Sequence, residues 1–242
     1  MTAPQLSGKH FPRKKAQSDQ PTFDDIIGGN SIREKMQPVI GYLANYGDAT
    51  HNKSGNLLVQ GPPGTGKSLY LECLIAETDA NSVIFEPEDW MQISYQDNNI
   101  IQQKLDAIVE QVSQKAPCIL SMPDIGKVET ENAEYLISQA SRSPGVVVYA
   151  MNNPLETIAQ TTQSLFDHTV ESELPNEQER HVYLDKIKEA YSNNDMPYPF
   201  NFKTPFGVVM QTDTAELAHG SKNMSFRDIA TTISATARGV LR

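Results

Sequence analysis

Apolar side chains recur at helical spacing in the first folded part of the chain. They lie on one face of a predicted helix over residues 31–46, which follows a serine that can cap it. The apolar positions are Ile32, Met36, Val39, Ile40 and Leu43. We therefore predict an amphipathic helix, and we expect folding to begin shortly before it, near residue 22.

Short apolar runs then alternate with stretches of helical spacing. The runs predict strands at 56–60, 82–85, 118–122 and 146–151 and an edge strand at 169–173, with helices at 68–78, 99–114 and 132–140. This alternation is typical of a parallel sheet with helices on both faces. The four inner runs are predominantly apolar, as expected for strands that are covered on both faces. The pattern predicts a doubly wound α/β domain.

Only helical patterns follow residue 176. Helices are predicted at 177–192, 213–219 and 225–238, and an aromatic, proline-rich loop at 196–206 either packs on them or binds a partner. Residues 1–20 have almost no apolar periodicity, so we expect a disordered basic arm there. The predicted domains are this arm, an α/β core over 21–175 and a small all-helical domain over 176–242.

Composition and charge exclude several classes of protein. The 242 residues carry 20 Lys and Arg against 30 Asp and Glu, a formal net charge of −10, although the first 20 residues are basic. An acidic body argues against broad nucleic-acid binding, which needs dense positive charge. The apolar runs are too short to span a membrane, and no secretory signal is expected. Two cysteines in apolar segments exclude a disulfide framework and favour a reducing, cytoplasmic location.

Residues 61–68 follow the first predicted strand and open the next helix. They read GPPGTGKS, which matches the G-x-x-x-x-G-K-[ST] pattern in its strand–loop–helix context. Glycines let backbone N–H groups turn inward around a phosphate, and the helix N-terminus adds about half a positive charge. Lys67 is expected to contact the β- and γ-phosphates, and the Ser68 hydroxyl to ligate Mg²⁺. The predicted nucleotide-binding residues are Gly61, Pro62, Pro63, Gly64, Thr65, Gly66, Lys67 and Ser68.

Together with this loop, three further segments resemble the AAA ATPase family, the clade of FtsH, katanin and spastin. Residues 23–29 (FDDIIGG) are similar to the family's N-terminal motif, 116–120 (APCIL) to the start of its Walker B strand, and 166–180 to the end of its ATPase core. The resemblance covers residues 22–242. It implies a P-loop NTPase core with a helical lid, ATP and Mg²⁺ as cofactors, and a ring, usually a hexamer. It also assigns Ile27 and Gly28 to nucleotide binding.

The same resemblance implies altered hydrolytic residues. The family's Walker B strand ends in Asp-Glu, whereas this chain has Pro123 and Asp124. Asp124 is expected to act as a shortened general base or as a metal ligand, the alternative being a loop carboxylate without a role. A general base misplaced by about 1 Å can cost on the order of a hundredfold in rate. The family's two arginine fingers, worth roughly 10³–10⁵ in rate, correspond here to Thr162 and Leu165. Arg142 is a candidate substitute, although a surface role is favoured.

Two residues match the family's sensor positions. Asn152, in the sequence AMNNP, resembles the sensor-1 asparagine, and a plain loop asparagine is the alternative. Arg227, in the sequence MSFRDI, lies where wider AAA+ relatives carry a sensor-2 arginine, and a helix-surface arginine is the alternative. A weaker likeness to the family's pore loop involves Trp90 and Tyr95. The catalytic candidates are Asp124, Asn152 and Arg227, and the metal candidates are Ser68 and Asp124.

Two functions are compatible with these observations. The first is a remodelling or chaperone-like ATPase that acts in an oligomeric ring and hydrolyses ATP weakly. The second is a nucleotide-dependent structural or regulatory subunit, paired in a hetero-oligomer with an active AAA partner. A DNA-associated helper that uses the basic arm finds no support in the acidic body.

Overall fold

The computed structural model describes residues 21–47, 55–86, 88–89, 96–153, 158–192 and 213–240. Several sequence-based predictions fall outside these ranges. They concern the basic arm at 1–20, the pore-loop candidates Trp90 and Tyr95, and the aromatic loop at 196–206.

Five parallel strands form one sheet. They are β1 (Leu57–Gln60), β2 (Asn81–Ile84), β3 (Cys118–Met122), β4 (Val146–Asn152) and β5 (His168–Glu171), in the order β2-β3-β4-β1-β5. Leu57 of β1 pairs with Tyr149 on one side and with His168 on the other. The loop that follows β1 therefore leaves the sheet between two neighbouring strands, at the carboxyl edge where α/β proteins bind ligands.

Helices cover both faces of this sheet. They are α1 (Gly29–Ala44), α2 (Lys67–Thr78), α3 (Asn98–Gln114), α4 (Thr130–Arg142) and the short α5 (Gln160–Gln163). Side chains of α1 and α2 form one apolar cluster with one face of the strands, and those of α3 and α4 form a second cluster with the other face. Along β4, Val146 and Val148 belong to one cluster and Val147 to the other, as expected when successive side chains point to opposite faces.

Three helices follow the sheet and form a third apolar cluster. They are α6 (Glu177–Ser192), α7 (Thr214–Gly220) and α8 (Phe226–Val240), and we call them the helical lid. Arg180 is buried, and its guanidinium donates from Nε to the Ala218 carbonyl at 2.9 Å and from Nη1 to the Pro175 carbonyl at 2.7 Å. These two bonds join α6 to α7 and to the segment that leaves the sheet.

The segment before α1 contacts both the sheet and the lid. It contains a 3₁₀ turn at Phe23–Asp25, and Phe23 is buried in the cluster of α1 and α2. Ile26 packs against that same cluster, whereas its neighbour Ile27 packs against the lid cluster. The Lys186 ammonium of α6 also donates to the Asp25 carbonyl at 3.2 Å. Adjacent residues of this segment therefore link the two parts of the molecule.

The structure confirms the doubly wound α/β fold class with a lid of helices. The bounds of β3 and α6 agree with the prediction, and those of the other predicted elements differ by one or two residues. The sequence analysis did not predict α5 or the 3₁₀ turn at Ile125–Lys127, because each is a single turn, too short to show a periodic pattern. Within the described ranges, the helices lack the combination of length and apolar character that crossing a membrane requires.

Candidate nucleotide-binding site

Two other parts of the chain pack directly against the loop between β1 and α2, and each of these contacts requires a glycine in the loop. Gly61 has φ 151 and Gly64 has φ 80, in the region that favours glycine. A Cβ atom on Gly61 would lie 2.0 Å from the Ser172 carbonyl oxygen, just after β5. A Cβ atom on Gly64 would lie 2.5 Å from Ser225 Oγ and 2.6 Å from Arg227 Cβ. The end of β5 and the start of α8 therefore both rest directly on the loop backbone.

Helix α2 begins within the motif, and its first turn supplies backbone donors. Its first intrahelical bond runs from the Tyr70 N–H to the Gly66 carbonyl at 3.0 Å. The N–H groups of Lys67, Ser68 and Leu69 precede that bond, so they belong to the set that a helix leaves for outside partners. Such a helix start, with its partial positive charge, is suited to binding an anion.

The Lys67 ammonium lies inside the loop. Its Nζ donates to the carbonyls of Gly61 at 2.6 Å and Pro62 at 2.7 Å and to Asn153 Oδ1 at 3.1 Å. Burial lowers the pKa of Lys67, the negative charge of Asp124 opposes that change, and the positive charge of Arg227 adds to it. Lys67 therefore shares its electrostatic environment with one acidic and one basic side chain from two other parts of the chain.

A cavity of about 630 Å³ opens in front of the loop. Of the predicted site residues, it is lined by Ile27, Pro63, Gly64, Thr65, Gly66, Lys67, Ser68, Asp124 and Arg227. The other four predicted residues, Gly28, Gly61, Pro62 and Asn152, are not among its lining residues. The aromatic side chains of Tyr183 and Phe226, 4.7 Å apart between ring centroids, form part of its lid side. The core and the lid thus both contribute walls to this cavity.

Asp124 adopts a left-handed backbone conformation after β3, with φ 51 and ψ 48. Aspartate is one of the few residues that tolerate this region. Its Oδ2 accepts a hydrogen bond from the Lys127 ammonium at 2.7 Å, and both side chains remain partly exposed to solvent. Asp124 thus lines the cavity, and its carboxylate is paired with a lysine of the following turn.

The two asparagines at the end of β4 take different positions. Asn152 is buried, and its carbonyl accepts a hydrogen bond from the Gly61 N–H at 3.2 Å. Asn153, the next residue, lines the cavity and contacts the Lys67 ammonium. The sequence analysis missed Asn153. The available signal was its place after the last apolar residue of a strand that ends at the carboxyl edge of the sheet.

The donor set for Mg²⁺ is small but sufficient. Among the described residues, no group of three or more His, Cys, Asp and Glu side chains could hold a metal ion. Ser68, which carries a hydroxyl, and Asp124, which carries a carboxylate, both line the cavity. Because Mg²⁺ in nucleotide sites is bound largely by phosphate oxygens and water, with one or two protein oxygens, this set fits the ion.

A capping box fixes the start of α8 beside the loop. The Asp228 carboxylate accepts hydrogen bonds from the Ser225 N–H at 3.0 Å and hydroxyl at 2.7 Å, and the Asp228 N–H donates to Ser225 Oγ at 3.2 Å. Hydrogen bonds from the side chain and backbone of Ser225 lower the pKa of Asp228. Arg227 is thereby held in the first turn of α8, against Gly64 and with an exposed side chain.

The positions that the resemblance matched to arginine fingers are directed inward. Thr162 is buried, and its hydroxyl donates to Glu134 Oε1 at 3.0 Å. Leu165 packs against the apolar cluster of α3 and α4. Arg142, the candidate substitute, is exposed at the end of α4, and its guanidinium donates to Gln139 at 3.3 Å. It precedes β4, so it lies at the edge of the sheet opposite the loop.

Comparison with known proteins identifies the family. Residues 57–174 match the family described as ATPase family associated with various cellular activities, or AAA. The matched part of the chain is an AAA domain. This result confirms the resemblance to that family, and the match includes the motifs at 61–68 and 116–120.

Relatives align with most of this chain but with only part of their own length. A 26S proteasome regulatory subunit homolog of Methanocaldococcus jannaschii is 25% identical over 235 residues, and the alignment covers 90% of this chain and 58% of that protein. The ATP-dependent zinc metalloprotease FtsH 2 of Phytoplasma mali is 26% identical over 208 residues, and the alignment covers 76% of this chain and 30% of that protein. The AAA chain thus spans little more than half of the first relative and under a third of the second.

Two solved structures share the AAA fold of this chain. A structure described as the structural basis for katanin self-assembly superposes with a TM-score of 0.68 and 19% identity, covering 94% of this chain and 74% of that one. The FIGL-1 AAA domain in complex with ADP superposes with a TM-score of 0.66 and 14% identity, covering 88% and 71%. At these identities, the likeness establishes the fold alone.

Proposed function

We propose that this AAA chain binds ATP with Mg²⁺ at the loop after β1 and acts in an oligomeric ring as a remodelling or chaperone-like ATPase with weak hydrolysis. The observation that carries this proposal is the convergence of Lys67 from the core and Arg227 from the lid on one cavity, at the start of α2. Two cations and a helix N-terminus form an environment suited to a polyphosphate.

The residues present fit this ligand. Backbone N–H groups of the first turn of α2 would hold the phosphates, Ser68 and Asp124 would contribute protein oxygens to Mg²⁺, and Arg227 would contact the terminal phosphate from the lid. When bound, Mg²⁺ supplies charge neutralisation at the phosphates. Lys67 would exchange its bonds to the loop carbonyls for bonds to phosphate oxygens, while Asn153 remains within reach of its ammonium.

Assembly into a ring is the part of the proposal that rests on relatives. One structural neighbour is described in terms of katanin self-assembly, and one relative is described as a homolog of a proteasome regulatory subunit. The first favours copies of one chain, and the second favours a ring with other AAA subunits.

A second function is favoured by the acidic and inward-facing residues described above. The Asp124 carboxylate is paired with Lys127, and Thr162 and Leu165 offer no cation to a neighbouring subunit. Phosphoryl transfer in P-loop enzymes depends on positioning and on stabilising charge. These features support a nucleotide-dependent structural or regulatory subunit with little turnover, working beside an active AAA partner.

Nucleotide binding is tested by titrating ATP with Mg²⁺ into the wild type and the Lys67→Ala variant in a calorimeter. We expect measurable binding by the wild type and none by Lys67→Ala. The exposed Lys35 on α1 offers a matched control, and Lys35→Ala should bind as the wild type does. Equal binding by Lys67→Ala and the wild type would refute the assignment of the site.

Turnover and assembly separate the two functions. A hydrolysis rate above about 1 s⁻¹, the low end of common kcat values, would refute both the weak-hydrolysis and the low-turnover proposals. Light scattering with a non-hydrolysable ATP analogue should show self-assembly for the remodelling ATPase. A chain that stays monomeric with and without the analogue would instead favour the hetero-oligomeric subunit.

A further inference from the structure

Two buried hydroxyl groups meet at one carbonyl of the phosphate loop. The Tyr70 hydroxyl donates to the Thr65 carbonyl at 3.0 Å, and the Ser172 hydroxyl donates to the same oxygen at 3.1 Å. The two hydroxyl oxygens lie 3.2 Å apart. Thr65 and Ser172 are each 2% exposed and Tyr70 is 6% exposed. We call Tyr70 and Ser172 the hydroxyl pair.

We propose that the hydroxyl pair positions the peptide between Thr65 and Gly66 so that its N–H faces the phosphate site. This inference rests on the proposed binding of a nucleotide. Tyr70 and Ser172 are positioning residues in this proposal, because they act on the ligand through the backbone of the loop.

The orientation follows from the geometry of a trans peptide. Its carbonyl and its N–H point in opposite directions within one plane. The Thr65 carbonyl points to the hydroxyl pair, so the N–H of Gly66 points to the opposite side of the loop. Thr65 and Gly66 line the cavity, whereas Tyr70 and Ser172 are not among its lining residues, so the side opposite the hydroxyl pair is the one that faces a bound phosphate.

This peptide needs such a restraint because residue 66 is glycine. Gly66 has φ 102, a region that glycine enters at little steric cost, and it also enters regions of negative φ with ease. The backbone on the Gly66 side would therefore permit the peptide to rotate. The Thr65 hydroxyl does not restrain its own carbonyl, since it donates to the Pro62 carbonyl at 2.9 Å. The hydroxyl pair supplies the missing restraint.

Each member of the pair is itself held in place. The Ser172 N–H donates to the Gln60 carbonyl at 2.7 Å, which continues the pairing of β5 with β1. The Tyr70 ring packs against Gly66, where a Cβ atom would lie 3.2 Å from the ring. Burial raises the pKa of Tyr70, so its hydroxyl keeps its proton and remains a donor at neutral pH. The edge strand and the first turn of α2 thus fix one peptide from two directions.

The two hydroxyls can replace each other in part. Each has one proton, so when either is removed the other still donates to the Thr65 carbonyl. Removal of both leaves a buried carbonyl without these donors, a condition that costs more than the loss of one bond. The effect of two substitutions should therefore exceed the product of the two single effects.

The test measures the dissociation constant of inorganic tripolyphosphate and of ATP, each with Mg²⁺, by calorimetry. Tyr70→Phe and Ser172→Ala alone should change it by no more than a few-fold. The double variant should bind both ligands roughly 10- to 100-fold more weakly, the range expected for one lost hydrogen bond to a charged group. The two ligands should lose affinity by the same factor, because the Gly66 N–H contacts only phosphate.

Two comparisons separate positioning from general destabilisation. In the Tyr70→Phe background, Ser172→Thr retains a hydroxyl and Ser172→Val has the same shape without one, so the threonine variant should bind 10- to 100-fold more tightly than the valine variant. Tyr42→Phe removes a buried hydroxyl that accepts the Gly145 N–H at 2.8 Å, at the opposite edge of the sheet, and should leave both affinities unchanged.

The outcomes distinguish this inference from the proposed function. Equal affinities for the threonine and valine variants, or a loss in Tyr42→Phe as large as in the double variant, would overturn the positioning role alone. The threonine and valine pair gives this answer even where the Ser172→Ala double variant does not fold. A wild type that binds neither tripolyphosphate nor ATP would overturn the nucleotide site and the positioning role together.

Discussion

Replacement of Gly64 by alanine tests the contact between the phosphate loop and the lid. Gly64 has φ 80, and its Cα hydrogen faces Ser225 and Arg227 at the start of α8. The added Cβ atom would lie 2.5 Å from Ser225 Oγ, whereas ordinary contact begins at 3.4 Å. Alanine therefore requires that α8 move away from the loop by roughly 0.9 Å.

Gly64→Ala is expected to lower both the thermal stability of the protein and its affinity for ATP. A left-handed conformation costs alanine about 1–2 kcal/mol relative to glycine. For a chain of this size, 1 kcal/mol lowers Tm by about 2–4 °C, so Gly64→Ala should lower Tm by roughly 2–8 °C. The displacement of α8 also moves Arg227 away from the cavity. We therefore expect ATP affinity to fall by about tenfold or more, as when one charged hydrogen bond is lost.

Thermal unfolding followed by circular dichroism measures the first effect, and calorimetric titration with ATP and Mg²⁺ measures the second. Gly41→Ala is a matched control, because a Cβ atom there meets nothing within 4 Å and the residue lies inside α1. Alanine is favoured over glycine in helices by about 0.8–1 kcal/mol, so this control should raise Tm. A Gly64→Ala variant with the Tm and ATP affinity of the wild type would refute the close packing of lid and loop.

Three further results are expected. Arg227→Ala should weaken tripolyphosphate binding about tenfold or more in calorimetry, whereas Arg142→Ala at the opposite edge should have no effect. Burial raises the pKa of Cys73 and Cys118 to about 12. A thiol reagent at about pH 8 should therefore label neither cysteine in the native protein and both after denaturation. Labelling of the native protein would contradict their burial. The pKa of Asp228 is lowered in the fold, so its ionised form stabilises the chain at neutral pH. This contribution is lost as pH falls below the ordinary value of 3.8. Between about pH 5 and pH 3, the Tm of Asp228→Asn should therefore fall by less than the Tm of the wild type.

Much of the fold was accessible from the sequence because its signals are local. The run at 146–151 is apolar throughout and the run at 118–122 is apolar except for Ser121, and the structure buries every residue of β3 and β4. The GPPGTGKS motif predicted a loop between strand and helix, and α2 begins within that motif at Lys67. Capping, periodicity and glycine placement act over a few residues, so the printed sequence is sufficient to find them.

The residues missed at the site depend on contacts between distant parts of the chain. Tyr70 and Ser172 are 102 positions apart, and neither belongs to a motif that predicts a bond to Thr65. The pair of Lys127 with Asp124 depends on a single 3₁₀ turn whose existence no periodic pattern indicates. Asn152 is the last residue of β4 and Asn153 follows the strand, so the choice between them depends on where the strand ends. The domain boundary near residue 175 and the roles of Asp124, Asn152 and Arg227 stay predictions.

The two isoleucines before α1 have a mechanical consequence. Ile26 is seated among the side chains beneath the sheet and Ile27 among those of the three final helices, yet one peptide bond joins them. Withdrawal of either side chain into water would forfeit an energy of up to about 1.5–3 kcal/mol. Moving the helical lid away from the sheet therefore requires that at least one of these two side chains leave its apolar cluster.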